Sequence, residues 1–336
     1  MYKRQSKDTE HSQERNDLEN MNYYPEGYLL DTPENQSAIQ TPTGLSEALR
    51  EGKILEARAM ICDSTHNLIV DLHGIKGIIP REEGAIGIRE GTVRDIAMIS
   101  RVNRPVSFVV TELLRDEKGG ITAILSRRKA QERCVEDYLS HLRPGDVIPA
   151  RITHLEPFGA FADIGCGVVS LLPIDSISVS RIDHPRERFS VGMDIRAIVK
   201  STENRRITLS HKELLGTWEE NASAFAPGET VAGIIRSVEP YGIFVELTPN
   251  LAGLAEPRDG VSPGQQASVF IKSIVPSRMK IKLIIIETFE SSYRPSPPNY
   301  YFSGEHMDSF LYSPAGCEKR IESRFPTAEE NETPAL

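Results

Sequence analysis

Two short stretches carry an aromatic pair three residues apart around a glycine: Phe158-Gly159-Ala160-Phe161 and Tyr241-Gly242-Ile243-Phe244. Cations accompany both. Arg181, His184, Arg186 and Arg188 follow the first pair, Arg205 and Arg206 come later, and Lys280 and Lys282 follow the second. Exposed rings offer flat faces on which unpaired bases stack, and neighbouring cations meet phosphates. Each stacked base is worth about 1–3 kcal/mol. The candidate set for stacking and phosphate contact is therefore Phe158, Phe161, Arg181, His184, Arg205, Arg206, Tyr241, Phe244, Lys280 and Lys282. Residues three apart on a regular strand point to opposite faces. Both rings reach one surface only where the chain is irregular, and Gly159 and Gly242 stand where a bulge is permitted. The alternative is one ring inside and one outside.

Other chemistry is not evident. No Walker motif, G-x-S-x-G or paired-carboxylate pattern occurs. The four cysteines lie far apart, and Cys62, His66 and His73 fit no standard metal spacing. No catalysis, cofactor, metal or small-molecule substrate is expected. Asp163 and Glu246 close a strand in their repeats and are expected to orient turns. Trp218, four residues from Leu214 and from Ala222, reads as a packing residue.

The elements that must position the rings recur three times. Glu51-Gly52-Lys53-Ile54, Pro144-Gly145-Asp146-Val147 and Pro227-Gly228-Glu229-Thr230 open successive units, with starts 93 and 83 residues apart. In the second unit, runs over 147–155, 158–164, 168–172, 193–200 and 206–210 have strand character. The third copies this pattern. The first is divergent, with His66 to Asp71 standing where Phe158 to Asp163 stand. Five short strands per small unit point to a barrel, of which the OB-fold is the best match. Ala130, Cys134, Tyr138 and Leu142 mark a helix between units, as do Leu214, Trp218 and Ala222.

The chain has 336 residues and a net charge of −9. Residues 1–40 hold 4 Lys/Arg against 8 Asp/Glu, and residues 287–336 hold 4 against 9, so the middle is neutral. Acidity confined to the tails is compatible with a nucleic-acid partner. No apolar run approaches the ~18 residues of a membrane span, and Met1 to Glu19 is polar, so a cytoplasmic protein with no membrane partner is expected.

The expected architecture is mainly β: three tandem five-stranded OB-fold barrels joined by short α-helical linkers, with disordered tails. The boundaries are a disordered N-terminal tail over 1–43, a divergent first domain over 44–128, and a linker helix over 129–142. A second domain over 143–211, a linker helix over 212–226 and a third domain over 227–286 follow. The acidic tail over 287–336 carries a short helix near 313–325, where Ser313-Pro314 reads as a cap and Ile321 and Phe325 share a face.

Glu156-Pro157-Phe158-Gly159-Ala160-Phe161-Ala162-Asp163, then Leu171-Leu172, Gly192 and Arg206-Ile207-Thr208-Leu209-Ser210, resemble the S1-type RNA-binding domain in order and spacing. Arg181-Ile182-Asp183-His184-Pro185 and Lys76-Gly77-Ile78-Ile79-Pro80 are similar to segments of the bacterial ribosomal protein S1 family, and the resemblance covers about residues 50–286. It implies single-stranded RNA binding, mRNA capture on the small ribosomal subunit and no enzymatic activity. The chain departs from the family in having Pro80, Pro173 and Glu256 where many such domains have His, and Thr202 or Pro276 where they have Asp. The first repeat lacks both aromatics and has Thr122 at the position of the final Arg, so docking to protein is its expected task. An accessory role in RNA decay or transcription, or a protein-interaction scaffold, is the alternative.

Overall fold

The computed structural model describes residues 23–117, 119–203, 206–290 and 295–325. The chain divides into two units, one of residues 1–141 with 163–169 and one of residues 142–162 with 170–336. Among the described residues, no helix is long and apolar enough to cross a membrane.

The first unit begins with α1 (Pro33–Ile39) and α2 (Pro42–Glu51). Each helix has a threonine N-cap, Thr32 or Thr41, followed by proline in its first turn, and α2 stops at Gly52 in the left-handed conformation. Strands β1 (Ile54–Cys62), β2 (Leu68–Leu72) and β3 (Ile75–Ile79) follow, then α3 (Ile96–Ile99), β4 (Pro105–Arg115), β5 (Ile121–Ser126) and α4 (Arg127–Asp137). The strands close in the order β1-β2-β3-β5-β4, with β3 and β5 parallel. Alternation is clean on β2, where Leu68, Val70 and Leu72 point inward and are fully buried.

The expected N-terminal tail over 1–43 is corrected from residue 23 onward. Ile39 and Leu45 join the core of barrel 1. The polar residues that suggested disorder find buried partners instead. Asn35 accepts from the Glu56 N–H and donates to its carbonyl, each at 2.8 Å. Glu26 is fully enclosed and accepts from Arg127 at 2.6 Å and from Arg101 at 3.2 Å. Burial opposes its ionisation, but the two guanidiniums hold its carboxyl below the usual range. Burial and the Glu26 charge push the Glu56 carboxyl up to about 7. Asp163 accepts from the N–H groups of Gly165, Gly167 and Glu26 and so does orient a turn. The expected disorder of 1–22 and 326–336 lies outside the described residues.

The second unit holds two barrels. Barrel 2 comprises β6 (Val147–Glu156), β7 (Gly159–Asp163), β8 (Val169–Pro173), β9 (Asp194–Ser201) and β10 (Thr208–Ser210). Barrel 3 follows α5 (Trp218–Ala222) and comprises β11 (Thr230–Glu239), β12 (Gly242–Thr248), β13 (Leu251–Ala255), β14 (Gln266–Val275) and β15 (Lys280–Phe289). Both close with the connectivity of barrel 1, so all three are five-stranded barrels of OB-fold type.

The linker over 212–226 is not one helix. A 3-10 turn, Lys212–Leu215, ends at Gly216 with φ 85°, and α5 starts afresh. Leu214 therefore packs with Ile198 of barrel 2, while Trp218 enters the core of barrel 3. A side chain at Gly216 would meet the Tyr301 ring at 2.7 Å as well as a positive φ.

The tail over 287–336 also needs correction. Residues 313–325 form no helix. Strands β16 (Ser309–Leu311) and β17 (Glu322–Arg324) pair antiparallel instead. Ser313 does not cap; its hydroxyl donates to Lys319 O and accepts from Ile321 N–H, closing the loop between the strands. Residues 300–325 form a strap. Met307 and Phe325 pack with Ile198 and Leu214, and Tyr312 joins the barrel 3 core. Val147 N–H donates to Glu305 O at 2.7 Å, and Arg196 donates to Phe302 O and Gly304 O.

Candidate nucleic-acid interface

In barrel 2, Phe158 occupies the turn between β6 and β7 and is 57 % exposed. Phe161 lies on β7 between Ala160 and Ala162, both fully buried, so its ring points outward. The two rings meet edge-on, with centroids 6.0 Å apart and planes at 88°. In barrel 3 the arrangement recurs: Tyr241 in the turn is 66 % exposed, Phe244 sits between buried Ile243 and Val245, and the rings are 6.2 Å apart at 86°. Both members of each pair thus share a surface.

The expected bulge at the glycine is not the means. The first ring precedes the strand, so strand alternation never applies to it. The glycines serve close approach instead. A Cβ at Gly159 would lie 2.6 Å from Leu172 O, and one at Gly242 would lie 2.8 Å from Ala255 O.

Cross-strand register places cations on the same side. Phe244 is level with Leu254 on β13, and Leu254 with Lys282 on β15. Lys280 and Lys282 are exposed, whereas Ile281 and Leu283 between and beyond them are buried. In barrel 2, Leu171 on β8 is level with Thr208, so exposed Arg206 stands where Lys280 stands in barrel 3. Arg205 lies outside the described residues.

The long connection of barrel 2 divides its cations. Arg181 and Arg186 are exposed. His184 is half-buried and caps the turn Pro185–Glu187: its Nδ1 accepts from Arg186 N–H at 3.1 Å, and Glu187 accepts from His184 N–H at 3.0 Å. Arg188 is buried. It donates to Glu246, whose carboxylate also accepts from Arg236 at 2.7 and 3.0 Å. Glu246 therefore joins two barrels and orients no turn.

One residue of the surface escaped sequence reasoning. His154 on β6 lies 6.3 Å from the Phe161 ring, tilted by 35°, and meets Glu156 at 2.6 Å. Its signal was strand alternation: it shares a face with Glu156, two residues on.

Barrel 1 carries a different surface. Ile69, Ile78 and Ile124 form the row that Phe244, Leu254 and Lys282 form in barrel 3. Met60, Ile61, Ile96 and Ile99 are also exposed there.

Three OB-fold barrels in tandem, two with outward ring pairs beside cations, define a modular β-barrel protein with a repeated aromatic and basic surface. Residues 141–212 match the S1 RNA binding domain family, which is barrel 2. The chain is 32% identical to small ribosomal subunit protein bS1 of Leuconostoc lactis over 211 residues, covering 61% of this chain and 47% of that one. It is 31% identical to the bS1 homolog of Bacillus subtilis over 56% of this chain and 48% of that one. With bS1 of Staphylococcus aureus the figures are 30%, 62% and 52%. The chain is similar to these bS1 proteins and spans about half the length of the curated relatives it matches.

Proposed function

We propose that this chain binds single-stranded RNA, including mRNA, through barrels 2 and 3, and aids mRNA capture at the small ribosomal subunit in the cytoplasm. The observation that carries this is the ring pair built twice with one geometry, 6.0 Å at 88° and 6.2 Å at 86°. Bases stack on Phe158, Phe161, Tyr241 and Phe244, while Arg206, Lys280 and Lys282 meet phosphates, with Arg181, Arg205 and His184 extending the contact. The role is binding, without catalysis. The relatives' names support the ribosomal setting.

Barrel 1 docks to protein in this scheme, because its equivalent row of Ile69, Ile78 and Ile124 is aliphatic, in place of the ring pairs of barrels 2 and 3. The test is RNA affinity and ribosome co-sedimentation of the full chain, of Phe161→Ala/Phe244→Ala and of Ile61→Glu/Ile99→Glu. The first pair is expected to lose RNA and the second to lose ribosomes. RNA affinity unchanged in Phe161→Ala/Phe244→Ala overturns the stacking mechanism. Retention of RNA binding with no ribosome association favours an RNA-decay or transcription role.

A further inference from the structure

The fourth strand of every barrel has an outward face that register makes comparable. Val109 on β4 is level with Ile54, Ile198 on β9 with Val147, and Phe270 on β14 with Thr230, so these three are equivalent. Val109 is buried, and Ile198 is wholly buried among Leu214, Met307 and Phe325. Phe270 is only half-buried, and its cross-strand neighbour Ile284 is 40 % exposed. Among the described residues, the strap that seals this face in barrel 2 leaves it open in barrel 3.

The open face is continuous with the rings. Phe244 is level with Leu254, Leu254 with Lys282, and Ile284 with Phe270. Lys282 and Ile284 share one side of β15, since Ile281, Leu283 and Ile285 between and around them are buried. Lys272 stands exposed at the adjoining register shift of β14. It pairs with Glu256 at 3.8 Å, and exposed pairs of that length bind weakly. Past Ile284 the face continues to exposed Ile286 and then turns acidic at Glu287, level with Ser268.

We propose that β14 and β15 hold an additional subsite for single-stranded RNA, in which a base packs on Phe270 and Ile284 while Lys272 and Lys282 meet the adjoining phosphates. The inference rests on base stacking by Tyr241 and Phe244. RNA is the occupant because the face joins the ring platform without a break and cations line the way to it. Barrel 3 therefore covers more nucleotides than barrel 2, where the strap stands on the equivalent ground.

The test uses the full chain carrying Phe158→Ala and Phe161→Ala, so that barrel 3 dominates, titrated with oligouridylates of increasing length. Affinity is expected to rise about fivefold or more as the oligomer grows past the length that fills the two rings. Adding Ile284→Glu, or separately Lys272→Glu, removes that rise, and melting curves confirm that each variant is folded. Tyr241→Ala weakens binding at every length. If Tyr241→Ala has no effect, the stacking mechanism beneath the proposal fails. If Tyr241→Ala acts but both β14–β15 variants keep the rise with length, the subsite does not exist. Loss of self-association in Ile284→Glu with RNA binding unchanged overturns it in favour of a protein-facing surface.

Discussion

Arg188, on the long connection of barrel 2, donates to Glu246 on β12 of barrel 3, and their side chains are only 6% and 5% exposed. Arg236 shares the same carboxylate and also binds Glu187. The sequence cluster of Arg181, His184, Arg186 and Arg188 therefore contains one residue that joins barrels. Breaking a buried pair leaves a charge without its partner and costs about 3–5 kcal/mol. Arg188→Ala should lose about 3 kcal/mol in chemical denaturation, the lower end, because Arg236 still neutralises Glu246. RNA affinity of the folded fraction should stay within about twofold, because the guanidinium never reaches the surface.

Phe158→Ala should weaken RNA binding by about 1–3 kcal/mol with little loss of stability, because the ring sits in an exposed turn. A buried Phe would instead cost about 3–5 kcal/mol of stability on truncation. A binding isotherm and a melting curve on the one variant separate the two.

Salt distinguishes stacking from charge. Arg206, Lys280 and Lys282 should together contribute about −2 to the slope of log K against log salt, from ~0.7 ions released per contact. Arg206→Ala should make the slope shallower by roughly 0.7, whereas Phe161→Ala should lower affinity at constant slope. A slope several times steeper would mean that these barrels hold RNA by charge alone.

One buried group in each unit should respond oppositely to acid. In the second, His211 Nδ1–H donates to Ile177 O at 3.0 Å, and its Nε2 accepts from Tyr300 at 3.2 Å. Burial, with Arg188 nearby, pushes the imidazole down to about 4. The unfolded chain then takes up a proton near pH 6.5 that the folded one refuses. Stability is full above that pH and falls by up to about 3 kcal/mol as pH drops to about 4. In the first unit, Glu56 is raised to about 7 by burial and by Glu26, so there the folded state keeps a proton that the unfolded chain has lost. Its contribution makes the first unit more stable near pH 5 and weaker as pH rises through 7. Trp218 fluorescence reports the second unit and far-ultraviolet circular dichroism reports both. His211→Gln should remove its share of the loss towards pH 4 in the second unit, and Glu56→Gln its share of the loss through pH 7 in the first; a variant whose pH profile matches the parent's contradicts the assignment of that group.

The barrels were legible because strand alternation and the recurring glycine openings need only local pattern. The ring pairs were legible for the same reason, although the glycine pattern points to a bulge at Gly159 where a turn places Phe158 ahead of its strand. What stayed hidden depends on partners distant in sequence. Glu26 meets Arg127 101 residues away, and Asn35 meets Glu56 21 away, so a polar stretch folds by burying its hydrogen bonds. Ile321 and Phe325 do find apolar contacts, but they flank the one strand β17 and serve different clusters. Local spacing alone could not distinguish that from one helical face.

The strap sets the order in which the protein can be completed during synthesis. Tyr300 meets Arg196 across 104 residues, and Met307 and Phe325 are the cover for Ile198 and Leu214. While the chain is being translated, barrel 2 has all five strands long before that cover exists. Its apolar flank stays bare until barrel 3 and the strap have emerged, a window in which nascent chains on one polysome can pair with each other or recruit a chaperone.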